Sequence, residues 1–355
     1  MHNFNALDFF KKCHKNIRGL TISKKCVKIT CQNFDYKDYC MQEINEKVLP
    51  KERRYDDIVT YDTPAYKERK RKFGDRKEGR KVRTLPPMNY VANYIMDVRS
   101  DAQNHFEDII DITNIETYLD KKHEEGYTDM TLLHIILAAY VRVVSERPGI
   151  NRFIAGQKIY ARKNIECVMT IKKELSLESP DTCIKVEFDP RDNIYNVYKK
   201  FQKVAHESVD DSTDFDKTAK VITKIPGFIF RGAMALLRWL DYHGWLPKSL
   251  MKVSPFHGSM IITSMGSLGI PAIYHHLYNF GTLPIFISYG SIFSADAIKR
   301  DGTRERHRFV TFKVVTDERI CDGYYYASAF KKIKRYLLHP ELLDDFAKSV
   351  TEDID

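Results

Sequence analysis

The 355-residue chain contains no run of about 18 uncharged apolar residues, so no transmembrane helix is expected. It does not open on a basic stretch followed by an apolar core. No signal peptide is therefore expected, and the chain reads as cytoplasmic. Its seven cysteines are odd in number, which argues for reduced thiols rather than a disulfide framework. Four fall early, at Cys13, Cys26, Cys31 and Cys40, with spacings that fit no zinc pattern, so no metal is expected. Acidic charge is in deficit, leaving a net charge of +9. The imbalance is local: ten Lys/Arg against three Asp/Glu between Lys67 and Arg83 hold +7 of it. A basic segment on a nearly neutral body reads as a solvated arm, with an anion or a membrane surface as its alternative contact. It gives little support to nucleic acid.

What the chain does have is the apolar content of a sizeable core, at 43%. Residues 1–62 carry short alternations such as Cys26–Cys31 but no long periodic element. They read as an N-terminal extension, poorly packed or disordered. Residues 63–83 read as a basic linker arm, punctuated by Gly74 and Gly79. Fold-bearing patterns run from 84 to 345, and 346–355 form an acidic tail. The clearest helix is 130–147, capped by Thr128-Asp129 and stopped by Pro148-Gly149. Its apolar stripe is Leu133, Ile136, Leu137, Tyr140, Val141 and Val144. Strands are expected at 105–113, 158–162, 166–173 and 182–188, and an amphipathic helix at 193–206. Residues 212–252 read as mostly helical. The apolar run from Phe228 to Leu240 is too short to span a bilayer, and a buried or channel-lining helix is preferred to a membrane contact.

The pattern with the most chemistry lies near the C-terminal end. Phe309 to Thr316 alternates as a β-branched strand and runs into Asp317-Glu318-Arg319-Ile320-Cys321-Asp322-Gly323. Helical spacing follows at Tyr326, Ala329, Phe330, Ile333 and Leu337. A second strand, Gly258–Ser264, ends in the polar, glycine-rich Met265-Gly266-Ser267-Leu268-Gly269, and Ile285–Ile292 forms a third. The phrase Glu146-Arg147-Pro148-Gly149-Ile150-Asn151-Arg152-Phe153 joins the long helix to a strand hairpin.

In this order and spacing, D-x-R-x-x-D-G before an aromatic helix resembles the signature of the chloramphenicol acetyltransferase and 2-oxoacid dehydrogenase acyltransferase (E2 catalytic domain) superfamily. The resemblance covers roughly residues 84–345. It implies an α+β fold, a CoA-dependent acyltransferase-like two-layer sandwich with a large mixed sheet. It implies acyl transfer from coenzyme A to an acceptor, in a channel between the subunits of a homotrimer. Acyl-CoA is then substrate or ligand, and the arm's anion could be a CoA phosphate. No Asp-Lys-Ala phrase of a lipoyl domain is present.

Carried over position by position, the resemblance gives Thr263 the hydroxyl that donates to an oxyanion. Glu318 falls at the general-base position, where the family has histidine. Asp322 and Gly323 become the pair that shapes the loop, Asp322 through an ion pair. Asp317 and Arg319 stand beside the base, and Ser264, Gly266 and Ser288 line the CoA side. The departure at 318 matters: an ordinary carboxylate sits about 4 pKa units below a thiol, making full proton transfer uphill by roughly 6 kcal/mol. Burial can narrow that gap. Two readings follow, an acyltransferase with altered chemistry and a catalytically silent homologue that binds acyl-CoA or a partner. His257, His275 and His276 are alternative bases if a neighbouring subunit supplies one, although core or surface roles are commoner for histidine. Ser288 and Ser291 read equally as strand residues, and Cys321 as packing rather than a nucleophile.

Overall fold

The computed structural model describes residues 58–67, 69–172, 181–210 and 226–355. The expected extension at 1–62 therefore lies, up to residue 57, outside the described residues. In chain order the described elements are β1 (Gly79–Lys81), α1 (Pro87–Ile95), β2 (Gln103–Asp111), α2 (Thr113–Glu124) and α3 (Leu132–Glu146). Four strands follow: β3 (Arg152–Ala155), β4 (Lys158–Arg162), β5 (Ile165–Lys172) and β6 (Asp181–Phe188). Then come α4 (Ile194–Asp210), α5 (Gly227–His243), α6 (Lys248–Val253), β7 (Met260–Ser264) and β8 (Ile285–Tyr289). The last are β9 (Phe293–Ile298), β10 (Arg304–Asp317) and α7 (Gly323–Leu338).

Seven strands form one mixed sheet in the order β2-β10-β8-β7-β5-β6, with β9 pairing to the first part of β10. The β5–β7 and β7–β8 pairs are parallel and the others antiparallel. A separate three-stranded sheet has the order β1-β4-β3. The 14-residue β10 is central: Phe309–Asp317 pairs with β2 on one edge, and Phe312–Thr316 with β8 on the other. Its alternation explains this. Val310, Phe312 and Val314 enter the main core, whereas Val315 enters a smaller cluster on the opposite face.

Helix α3 sits at the middle of the main core, buried at every position from Leu133 to Ser145. Thr131 caps it. The Thr131 N–H donates to His134 Nδ1 (3.0 Å), which closes a capping box. Residues of α2, α4 and α7 join α3 in this core against the sheet. The expected α+β two-layer sandwich with a large mixed sheet is therefore what the chain forms. On the far face, Val168, Ile261, Phe286 and Val315 are covered by Leu277 and Leu283, so the connection between β7 and β8 crosses the sheet there.

Two expectations are corrected. The basic arm is not simply solvated. β1 adds to β4, and Arg76 is buried with its guanidinium on Glu78 (2.6 Å) and Asp241 (3.0 Å). Arg69, Lys72 and Arg80 meet the acidic tail at Glu352 and Asp355, and the tail's Asp353 forks onto buried Arg152 at 2.5 and 2.6 Å. Opposite charge in the arm and the tail draws the two onto the body.

The second correction concerns α5, expected to be buried or channel-lining, which is not buried within one chain. Only one stripe leans inward: Phe230, Met234 and Leu237 are half-buried, and Asp241 is buried. The helix seats by its C-terminal end on the β3–β4 turn. There Gly156 has φ +54, and a Cβ would stand 2.4 Å from the Tyr242 carbonyl oxygen. Among the described residues nothing covers the rest of the helix surface.

Candidate active site

Asp317, the last residue of β10, is wholly buried, and its N–H donates to the Pro284 carbonyl (2.8 Å). Its carboxylate accepts from Arg319 Nε (2.8 Å) and Nη2 (2.7 Å), and from Arg99 Nε (3.3 Å). Both guanidiniums are buried. Burial lowers the pKa of Arg99, and the Asp317 charge opposes that shift. The remaining N–H groups reach backbone carbonyls: Arg319 Nη1 to Met96 (2.8 Å), Arg99 Nη1 to Tyr278 (2.6 Å) and Arg99 Nη2 to Gly281 (3.0 Å). One carboxylate thus ties the end of the central strand to segments before β2 and before β8.

Glu318 stands between these two buried ions and is itself exposed. Its N–H donates to the Ala102 carbonyl (2.8 Å), which fixes the backbone. Its side chain has no hydrogen bond or ion pair among the described residues. Cys321 is buried and burial pushes its thiol well up, consistent with packing rather than nucleophilic use. Asp322 is the N-cap of α7, its Oδ1 accepting from the Tyr325 N–H (2.8 Å). Gly323 opens the helix beyond it. Among the described residues Asp322 makes no ion pair, and the buried ion pairs of this loop are made by Asp317. The physical reason is position: Asp322 is exposed at a helix N-terminus, and Asp317 faces two arginines in the interior.

Thr263 lies on β7 with the opposite facing to Met260 and Ile262, which belong to the helix-side core. It is half-buried on the outer face of the sheet, paired with Ser288 of β8. Ser264 points to the other face, and its Oγ accepts from the Ser267 N–H (3.4 Å). Gly266 is required by a close approach, since a Cβ there would stand 2.7 Å from the Gly290 carbonyl oxygen. Ser288 is wholly buried, and its Oγ accepts from the Ile273 N–H (3.2 Å), pinning the β7–β8 connection to the sheet.

Within one chain Thr263 and Glu318 are not brought together. Thr263 is level with Ser288 and hence with Lys313 of β10. Lys313 precedes Glu318 by five residues, about 17 Å along the strand, with two strand spacings of about 4.8 Å added sideways. The outer face between them carries side chains that the strand alternation could have flagged. Exposed His105 lies edge-on to Tyr274 (5.4 Å), and Lys313 Nζ lies 4.9 Å from the same ring. His275 stacks on Phe286 (4.2 Å). His276 is exposed. His257 is buried between Ser254 Oγ (2.8 Å) and Asp241 Oδ1 (3.4 Å), a structural placement. Burial would raise the Asp241 carboxyl, yet His257, Arg76 and Arg99 hold it below its ordinary value. A cavity of about 1200 Å³ lies elsewhere, between the arm and the body, lined by residues that include Tyr66, Arg80, Arg162 and Glu352. Arg99 was missed by sequence reading, because nothing local marks an arginine that pairs with a residue more than two hundred positions away.

No family model matches the sequence, and no curated protein matches it. Among solved structures the chain is similar to a probable dihydrolipoamide acetyltransferase from Listeria monocytogenes, at 16% identity over 74% of this chain and 95% of that one, with a TM-score of 0.46. It is also similar to a truncated catalytic core of the 2-oxoacid dehydrogenase multienzyme complex from Thermoplasma acidophilum, at 11% identity over 74% and 99%, with a TM-score of 0.45. A chloramphenicol acetyltransferase matches at 11% identity over 70% and 94%, with a TM-score of 0.42. At such identities and TM-scores these likenesses carry no argument about chemistry or partners.

Proposed function

We propose that the chain is an acyltransferase-type protein that takes acyl-CoA in a channel between subunits of a homotrimer. Glu318 of one subunit would face Thr263 of the next, with an acceptor entering from the other end. The carrying observation is the frame at the end of β10. Asp317, Arg319 and Arg99 form a buried ion cluster that holds position 318 outward on a fixed backbone. A group held this way, with its neighbours locked, is suited to act on something outside its own chain. The exposed apolar side chains Leu268, Ile270, Ile273 and Tyr274 on the β7–β8 connection support a subunit contact over the outer face.

A second reading, binding without turnover, is favoured by a different observation. Burial is what fits a carboxylate to a thiol, and within one chain Glu318 is exposed. The trimer would have to supply that burial. The test measures acyl-CoA hydrolysis and transfer to generic thiol and amine acceptors, with thermal shifts, for the native chain, Glu318→Gln and Glu318→His. Transfer expected in the native chain and lost in Glu318→Gln makes Glu318 a working base and ends the silent reading. Native silence with gain in Glu318→His identifies a disabled transferase. Silence throughout, with acyl-CoA still raising the melting temperature, supports binding alone. A monomer in sedimentation at micromolar concentration removes the intersubunit channel from both readings.

A further inference from the structure

Helix α5 and the short α6 after it expose a run of large apolar side chains. Phe228 is 79% exposed, and Ile229, Leu236, Trp239, Tyr242, Trp245 and Leu250 are also exposed. On a 100° wheel Phe228, Ile229, Leu236 and Trp239 share the face turned away from the body, opposite Phe230, Met234, Leu237 and Asp241. The only two tryptophans of the chain are here, 5.2 Å apart and edge to face, with His243 beside both. From 226 to 253 the sequence carries Arg231, Arg238, Lys248 and Lys252 against a single acid, Asp241. All four cations are exposed, and none has an acidic partner among the described residues. Asp241 is turned inward onto Arg76. Residues 226–253 therefore present an apolar and positive surface that carries no exposed negative charge of its own.

We infer that α5 docks this face in the plane of a lipid bilayer with anionic headgroups. A 17-residue helix is about 25 Å long, and with two arginines it does not span. No described helix is long and apolar enough to cross a membrane. An apolar stripe bordered by Arg, with Trp and Tyr at one end, is the pattern of a helix lying at the headgroup boundary. The arginine stems extend along apolar surface while their heads stay with phosphate. Charge decides between occupants. A second copy meeting the same patch face to face would bring four cations against four, whereas an anionic bilayer supplies the missing sign. This inference does not depend on the reading of Glu318, and its failure would leave that reading standing.

The test uses the full chain and vesicles of phosphatidylcholine with or without phosphatidylserine, read by co-sedimentation and by tryptophan emission. Both tryptophans lie in the patch, so a blue shift on binding reports this face directly. Partitioning onto the anionic vesicles, weakened by salt, is expected. Arg231→Gln with Arg238→Gln should lower it about ten-fold or more, and Phe228→Ser should lower it again with the circular dichroism spectrum unchanged. The basic arm is a competing anchor. If vesicle binding survives the double arginine change without an emission shift, the arm carries it and the inference falls. It falls equally if neither vesicle binds the chain, or if Phe228→Ser converts an oligomer to a smaller species without affecting any vesicle binding. Binding that is equal on both vesicles and insensitive to salt would refute the anionic requirement.

Discussion

Replacing Asp317 with asparagine removes one negative charge and almost no volume. Asn keeps an acceptor for Arg319, so the loop retains a reason to close. What it loses is the counter-charge for two guanidiniums, Arg319 at 3% exposure and Arg99 at 5%. Removing one partner of a buried ion pair costs about 3–5 kcal/mol, because the other charge is left uncompensated. Here two charges are left, but each keeps backbone carbonyls at 2.6–3.0 Å, so the same range applies without doubling. With a urea m-value of about 3 kcal/mol/M, the midpoint should fall by about 1–1.7 M at unchanged slope. Arg69→Gln is the control: its pair with Glu352 is largely solvated and should move the midpoint very little. A fall of less than about 0.3 M for Asp317→Asn would mean that water reaches the cluster. The ion triad would then not be what holds position 318.

Two further outcomes are expected. Burial lowers the pKa of His134 from its ordinary value to about 3, and its Nδ1 is the acceptor for the Thr131 N–H. The folded pKa is depressed, so the unfolded chain takes up the proton first as pH falls. The stability contributed by neutral His134 is present above about pH 6.5 and is lost progressively toward about pH 3. That loss should reach about 2 kcal/mol by about pH 5 in urea titrations, and a flat profile for native and His134→Asn chains alike would refute it. Asp353→Asn should cost about 3 kcal/mol by leaving Arg152 buried and unpaired, measured by the same denaturation. A loss no larger than that of the Arg69 control would show that the tail is not clamped.

The elements that were legible in the sequence were those whose periodicity is enforced by burial. Helix α3, β4 to β6 and the apolar half of β10 fall where the patterns put them, because one-sided burial writes alternation or a 3.6-residue stripe into the chain. The first part of β10 was not legible. Arg304-Glu305-Arg306-His307-Arg308 carries no apolar signal, and it is a strand only because it pairs with β9 and sets Glu305 against Lys299 (2.6 Å) and His307 against Asp111. Helix α5 is legible as apolar, but its exposure within one chain is not. Composition says that Phe228 and Trp239 avoid water, not which surface will cover them. The candidate positions follow from a motif, but their geometry is not legible in it. Position 318 could be named from spacing, while its separation from Thr263 follows from strand order and the register of β8 between them.

The contrast between Glu318 and its two neighbours has an evolutionary consequence. Asp317 and Arg319 are committed to the interior, so changes there are tested first by stability. The Glu318 side chain has no partner among the described residues, and the strand end is shaped without it. Position 318 can therefore exchange one side chain for another at little folding cost, so selection there is not constrained by stability. A scaffold built this way can change the side chain it presents at this strand end in a single substitution while every neighbour stays in place.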